Sequence, residues 1–149
     1  MCLVKIRPWL VVPLLLCLPA AIAQTNPPQF WISKTSSILY RITLRGERVR
    51  AEKVFPPEFE DQVEQGAFVR CDYERQKDTW AGKCESRLPL ETAKDHIKWC
   101  KFKFSSTLTL FTPMRIEGES DVWGSNDVDV QKCEVRKSHA QRFVWVPKS

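Results

Sequence analysis

Histidine is scarce in this chain: 149 residues contain two, His96 and His139. His96 follows Asp95 in a charged stretch and His139 lies in KSHAQ, so both read as surface residues with no general-base role. No Gly-x-Ser-x-Gly, His-Glu-x-x-His or phosphate-loop spacing occurs, which removes the enzyme classes that depend on those motifs. Closely spaced Cys-x2-Cys pairs are missing too, so neither a zinc clip nor a dithiol redox centre is expected. A glycosidase-like carboxylate pair would be assembled only in three dimensions, and none of the 18 acids stands out for it. There is no Asn-x-Ser/Thr acceptor, no internal repeat and no low-complexity tract. No catalytic residue, metal site or cofactor is therefore expected.

A long apolar run is missing as well. The stretch from Trp9 to Leu18 falls short of the roughly 20 residues that span a bilayer, and Pro13 and Pro19 interrupt it. Lys5 and Arg7 precede it and Ala21-Ile22-Ala23 follows, which is the anatomy of a cleaved signal peptide over residues 1–23. Lipid attachment at Cys17 would want small residues before it, where Leu14-Leu15-Leu16 stands. Cleavage removes Lys5 and Arg7 and no acid, taking the net charge from +5 to +3. That mild bias excludes a nucleic-acid binder, and no membrane anchor remains. The expected location is outside the cytoplasm, in the extracellular space or a bacterial periplasm. Four cysteines are left, Cys71, Cys84, Cys100 and Cys133. An even count in an exported chain points to two disulfides, with three possible pairings.

After a flexible lead-in at residues 24–29, residues 30–149 read as one β-rich domain in which the dominant period is two. In WCKFKFSSTLTLF (Trp99 to Phe111) the face of Cys100, Phe102, Phe104, Ser106, Leu108 and Leu110 is mostly apolar. The other face carries Lys101, Lys103 and Thr107, as on a half-buried antiparallel strand. Thr112-Pro113 then turns the chain into a return strand, RIEGES. Ile38 to Phe55 reads as a hairpin with Gly46-Glu47 at its tip. That register sets Arg41 opposite Glu52 and avoids placing it opposite Arg50. PEFEDQVEQ predicts a short helix, and Thr92-x-x-Asp95 a second one within Leu90 to Trp99. RFVWVP near the C-terminus alternates again. The class is all-β with minor helix: a single antiparallel sandwich or a small barrel, stapled by disulfides. A barrel of this kind resembles the lipocalin-like folds at the level of architecture alone, since the Gly-x-Trp of their first strand is missing from QFWIS.

GAFVRCDYERQKDTWAGKC folds in this scheme into a hairpin about Lys77-Asp78. Cys71 then faces Cys84, Tyr73 faces Gly82 and Arg75 faces Trp80, with the cysteines near bridging distance. Cys100, on a buried strand face, is left to pair with Cys133, while a Cys84–Cys100 bridge remains an alternative.

Two surface features are candidates for contact with a ligand or partner. The outward face of the first hairpin carries Arg41, Arg45, Arg48 and Arg50, a set able to hold phosphate, sulfate or carboxylate, or simply a solvated charged face. EGESDVWGSNDVD (Glu117 to Asp129) reads as an acidic surface loop; it lacks the EF-hand spacing for calcium, and its Trp123 is a candidate contact with a ligand or partner, or equally a plug for one end of a barrel. The expected function is that of a secreted, non-catalytic binding protein. Its aromatics, among them Trp31, Tyr40, Trp80, Trp99 and Trp145, would line an interior site for an anionic or apolar small ligand. The alternative is a secreted protein-interaction or inhibitor module acting through the arginines or the Trp123 loop.

Overall fold

The computed structural model describes residues 29–92 and 96–149, so the expected signal peptide and most of the lead-in lie outside the described residues. The strands are β1 (Gln29–Ser33), β2 (Leu39–Arg45), β3 (Arg48–Val54), β4 (Phe68–Gln76), β5 (Thr79–Glu91), β6 (Ile97–Phe111), β7 (Ile116–Val122), β8 (Val128–Asp129), β9 (Glu134–Val135) and β10 (His139–Pro147). β1 to β7 and β10 close into an antiparallel barrel of eight strands, each beside its neighbour in the chain, with β10 pairing β7 and β1. β8 and β9 form a separate ribbon within the connection from β7 to β10. Of the two architectures left open by the alternating pattern, the barrel is the one adopted.

Period-two alternation builds it directly. Val49 and Ala51 of β3, Cys71 and Tyr73 of β4, Cys84 and Ser86 of β5, and Phe102, Ser106 and Leu108 of β6 are all buried, while the residues of opposite parity between them face outward. Both hairpin registers are as expected: Ile42 faces Ala51 and Arg41 faces Glu52, while Cys71 faces Cys84 and Tyr73 faces Gly82. Gly46 takes a φ of +59° at the first tip, a conformation that favours glycine. The disulfides are Cys71–Cys84 across β4 and β5, and Cys100–Cys133, which ties β6 to the long connection.

Three expectations need correction. The alternation from Trp99 to Phe111 does not run to its end: Thr109 is an extra residue in β6, so Leu108 faces Gly118 and Leu110 faces Glu117. This bulge turns Leu110 outward, 38% exposed, and brings Phe111 opposite Ile116 and against the ring of Trp80 (centroids 5.4 Å apart). The helix expected within Leu90 to Trp99 does not form on the described residues. Leu88 to Glu91 instead pair with Cys100 to Ile97 as the ends of β5 and β6. Cross-strand pairing wins over the local capping signal, and Pro89 is tolerated because β4 has ended by Arg87, so no ladder bond to it is lost. Residues 93–95 lie outside the described residues. Finally, the first half of the acidic stretch is not surface loop but strand β7, the return strand expected from RIEGES. The other short helix does form, as a 3₁₀ turn at Pro57–Phe59 leading into α1 (Glu60–Glu64).

Two glycines inside the barrel wall sit opposite inward-pointing aromatics, Gly82 opposite Tyr73 and Gly118 opposite Phe143. A Cβ on Gly82 would lie 2.5 Å from the Tyr73 ring and 2.9 Å from the Ser106 carbonyl oxygen; one on Gly118 would lie 2.6 Å from Phe143 Cζ. Each glycine thus makes the space that lets a ring lie flat across the neighbouring strand. Gly82→Ala is expected to destabilise the protein by about 2–3 kcal/mol, the cost of overpacking a rigid wall, measured as a lower urea midpoint. An unchanged midpoint would show that the Tyr73 ring is free to move aside.

Candidate functional site

The two ends of the barrel differ. Gly46-Glu47, Lys77-Asp78 and the Thr112 to Arg115 turn close one end tightly. Residues 34–38, 55–67 and 123–138 form longer connections at the other. A cavity of about 400 Å³ occupies the interior on the side of these longer connections. Leu108, Ile116 and Val49 are buried next to the tight turns, and Trp31 is buried at the register position opposite Tyr40.

The cavity wall is mainly aromatic. Trp145 stacks between Tyr40 (4.5 Å between centroids) and Phe143 (4.4 Å), so β2 and β10 present a continuous stacked surface. Across from it, Trp123 leaves the end of β7 and leans in over Phe102 (5.5 Å) and Phe104 (5.3 Å, nearly edge-on). Trp123 is therefore part of the mouth of the barrel, and the Cys100–Cys133 bridge anchors the connection that follows it. The floor is polar but satisfied: Tyr73 donates its hydroxyl to Ser106 Oγ (3.0 Å), which donates to the Glu119 carbonyl (3.1 Å). Burial holds the Tyr73 phenol protonated far above its ordinary range.

Two polar groups on the wall are not so provided for. Ser86, 2% exposed, has a hydroxyl with no hydrogen-bond partner among the described residues. Lys53 shares the inward parity of Val49 and Ala51, is half-buried, and has no carboxylate within ion-pair distance among the described residues. Its ammonium lies 4.8 Å from the centre of the Phe55 ring. The charged groups around the cavity other than Lys53 have polar partners: Arg70 donates to Glu85 (2.8 Å), Arg142 approaches Glu119 (3.9 Å), and Asp121 accepts the Ser105 N–H (3.3 Å).

The arginine ribbon lies elsewhere, on the outer wall. Arg48 meets Glu74 (3.1 Å), Arg50 holds Asp72 through two bonds (2.7 and 3.2 Å), and Arg41 lies over the Phe30 ring (5.7 Å). Arg45 ends β2, opposite Arg48. The register shows a wider pattern: Arg41, Glu52, Arg70, Glu85 and Lys103 stand side by side across β2 to β6. Arg50, Asp72 and Lys83 repeat the alternation one row away. The ribbon is thus one edge of a belt of alternating charge; in that belt Arg70 draws the Glu85 carboxyl below its ordinary pKa. The acids of the second candidate stretch are spread out, with Arg115 on Glu117, Arg142 facing Glu119 and Arg136 on Asp129 (2.9 Å). Arg136 and the Lys132 N–H lower the Asp129 pKa.

Of the residues singled out from the sequence, then, Trp123, Tyr40 and Trp145 meet at the cavity, whereas Arg41, Arg45, Arg48 and Arg50 do not. Lys53 and Ser86 are not among those residues, although a lysine in step with Val49 and Ala51, and a serine in step with Gly82 and Cys84, are legible as inward polar groups. No family model, curated protein or solved structure matches the chain.

Burial lowers the Lys53 pKa below 10.5. Between the folded and unfolded values the unfolded chain binds more protons, so stability rises with pH in that window. Below it the buried charge weighs fully against folding. Lys53→Met is expected to unfold at a higher urea concentration than wild type at neutral pH, with the gap closing as the pH approaches 10.5. A gap independent of pH would mean that the ammonium is solvated in the folded state.

Proposed function

We propose that this chain is an exported, non-catalytic binding protein that encloses a small, largely apolar ligand in its barrel. The observation that carries this is the cavity: at about 400 Å³ it is open at the long-loop end and walled by Tyr40, Trp145, Phe143, Phe104 and Trp123. Ligand sites typically occupy about 300–1,000 Å³ and are lined by apolar and aromatic side chains around a few polar groups, which is what Lys53 and Ser86 supply here. A barrel evolved only for stability would fill that space, since empty interior volume forfeits dispersion contacts.

Export is supported by the leader-like residues 1–23 and by two disulfides, which persist in oxidising compartments. Among the described residues no helix is long and apolar enough to cross a membrane. The alternative, an interaction module working through the arginines, has less support, because Arg48 and Arg50 already hold carboxylates of β4.

The neutral apolar dye N-phenyl-1-naphthylamine tests the proposal. Its fluorescence is expected to rise and blue-shift with saturable binding to the purified protein. Trp123→Ala should weaken that binding by about fivefold, the worth of an aromatic contact of roughly 1 kcal/mol, while Arg48→Ala leaves it unchanged. A protein with native β-sheet circular dichroism that gives no enhancement would sink the proposal.

A further inference from the structure

We infer that the ligand is an anionic amphiphile, a carboxylate carried on an apolar body, and that Lys53 and Ser86 hold its head at the mouth of the barrel. This rests on the cavity being a binding site, and it adds the chemical class of the occupant and the direction in which it enters.

Two independent features point to the head group. Lys53 stands out among the ionisable groups around the cavity, its ammonium facing an aromatic ring and no carboxylate among the described residues. Ser86 is buried with its hydroxyl unpartnered on the same wall, a costly arrangement unless another group supplies the bond. The register brings them to one level. Glu52 faces Arg70, so Lys53 on β3 lies beside Val69 on β4, and Val69 faces Ser86 on β5. Two strand spacings, about 10 Å, separate the two backbones. The lysine stem covers part of that gap, and a carboxylate accepting from both groups bridges the remainder.

What lies below that level points to the body. One pair deeper along the same strands, the wall changes to Ala51, Cys71 and Phe104, with the Trp145–Phe143 stack on the far side. The Lys53 ammonium, with no carboxylate partner among the described residues, and the Ser86 hydroxyl, with no hydrogen-bond partner among them, therefore sit nearer the open end, and the apolar surface lies beneath them. An apolar amine would place a second cation beside Lys53, and a neutral chain would leave the ammonium half-buried without a counter-charge. An amphiphilic anion, entering tail first, satisfies both levels.

Displacement of bound N-phenyl-1-naphthylamine by decanoate, decan-1-ol and decylamine tests this on the whole protein. Decanoate is expected to compete at about a tenfold lower concentration than decan-1-ol, as a charge-assisted bond predicts, with decylamine weakest. In Lys53→Met the preference for decanoate should shrink to about twofold or less, the ammonium having supplied it. Ser86→Ala should raise the thermal midpoint of the empty protein, because a buried hydroxyl without a partner is removed, while weakening decanoate; a residue with only a structural role would not move those two readouts in opposite senses. Equal competition by decanoate and decan-1-ol in wild type, or a preference that survives Lys53→Met, would overturn the inference and leave the apolar binding site standing. A protein that binds neither the dye nor any of the three chains would overturn both.

Discussion

Closure of the sheet is the constraint on which everything else depends. Trp31–Pro147, Ile32–Val146 and Ser33–Trp145 join the first strand to the last. Without that short seam the molecule would be an open curved sheet with two exposed edges. With it, every second residue on eight strands is sent into one shared interior. The interior is then divided by size and polarity along the strands. Val49, Leu108 and Ile116 fill the tight end, while Tyr40, Phe104, Phe143 and Trp145 stand around open space near the other.

The wall is arranged to allow that division. Tyr73 and Phe143 lie across the chain at Gly82 and Gly118, so two large rings are accommodated without thickening the barrel. The Thr109 bulge rotates the last residues of β6 and recruits Phe111, in place of Leu110, to close the tight end against Trp80. The disulfides act at different levels. Cys71–Cys84 staples adjacent strands and closes a loop worth about 3 kcal/mol of unfolded-state entropy on the usual estimate. Cys100–Cys133 closes a longer segment and holds in place the connection that begins at Trp123, and so shapes the mouth.

The outer surface follows a separate logic. Charges of alternating sign run from strand to strand in register, and exposed pairs of this kind contribute little stability each. Their value lies in register: slipping β3 against β4 by two residues would preserve the inward face but pair each charge with a different outward neighbour, including like signs. That explains how an arginine-rich hairpin can serve structure. Lys53 differs because it points the other way, toward the cavity, where no carboxylate among the described residues lies within ion-pair distance of it.

Class, strand parity, both hairpin registers and both disulfide partners were readable from residue order, because all rest on local period-two geometry or on the small number of cysteines. The local sequence could not decide between sandwich and barrel, since the same alternation serves either until the first and last strands meet. Nor could it show the bulge at Thr109, the strand pairing that displaced the helix after Leu90, or that Trp123 folds inward. Each of these depends on partners distant in the chain. The same holds for the site: the residues that would make it a site were present in their strands with the right parity, but only closure placed Lys53, Ser86 and the Tyr40–Trp145–Phe143 stack around one volume. Residue order determined which side chains face in; the tertiary structure alone decided which of them share an empty space, because volume is a property of the closed barrel and of no single strand.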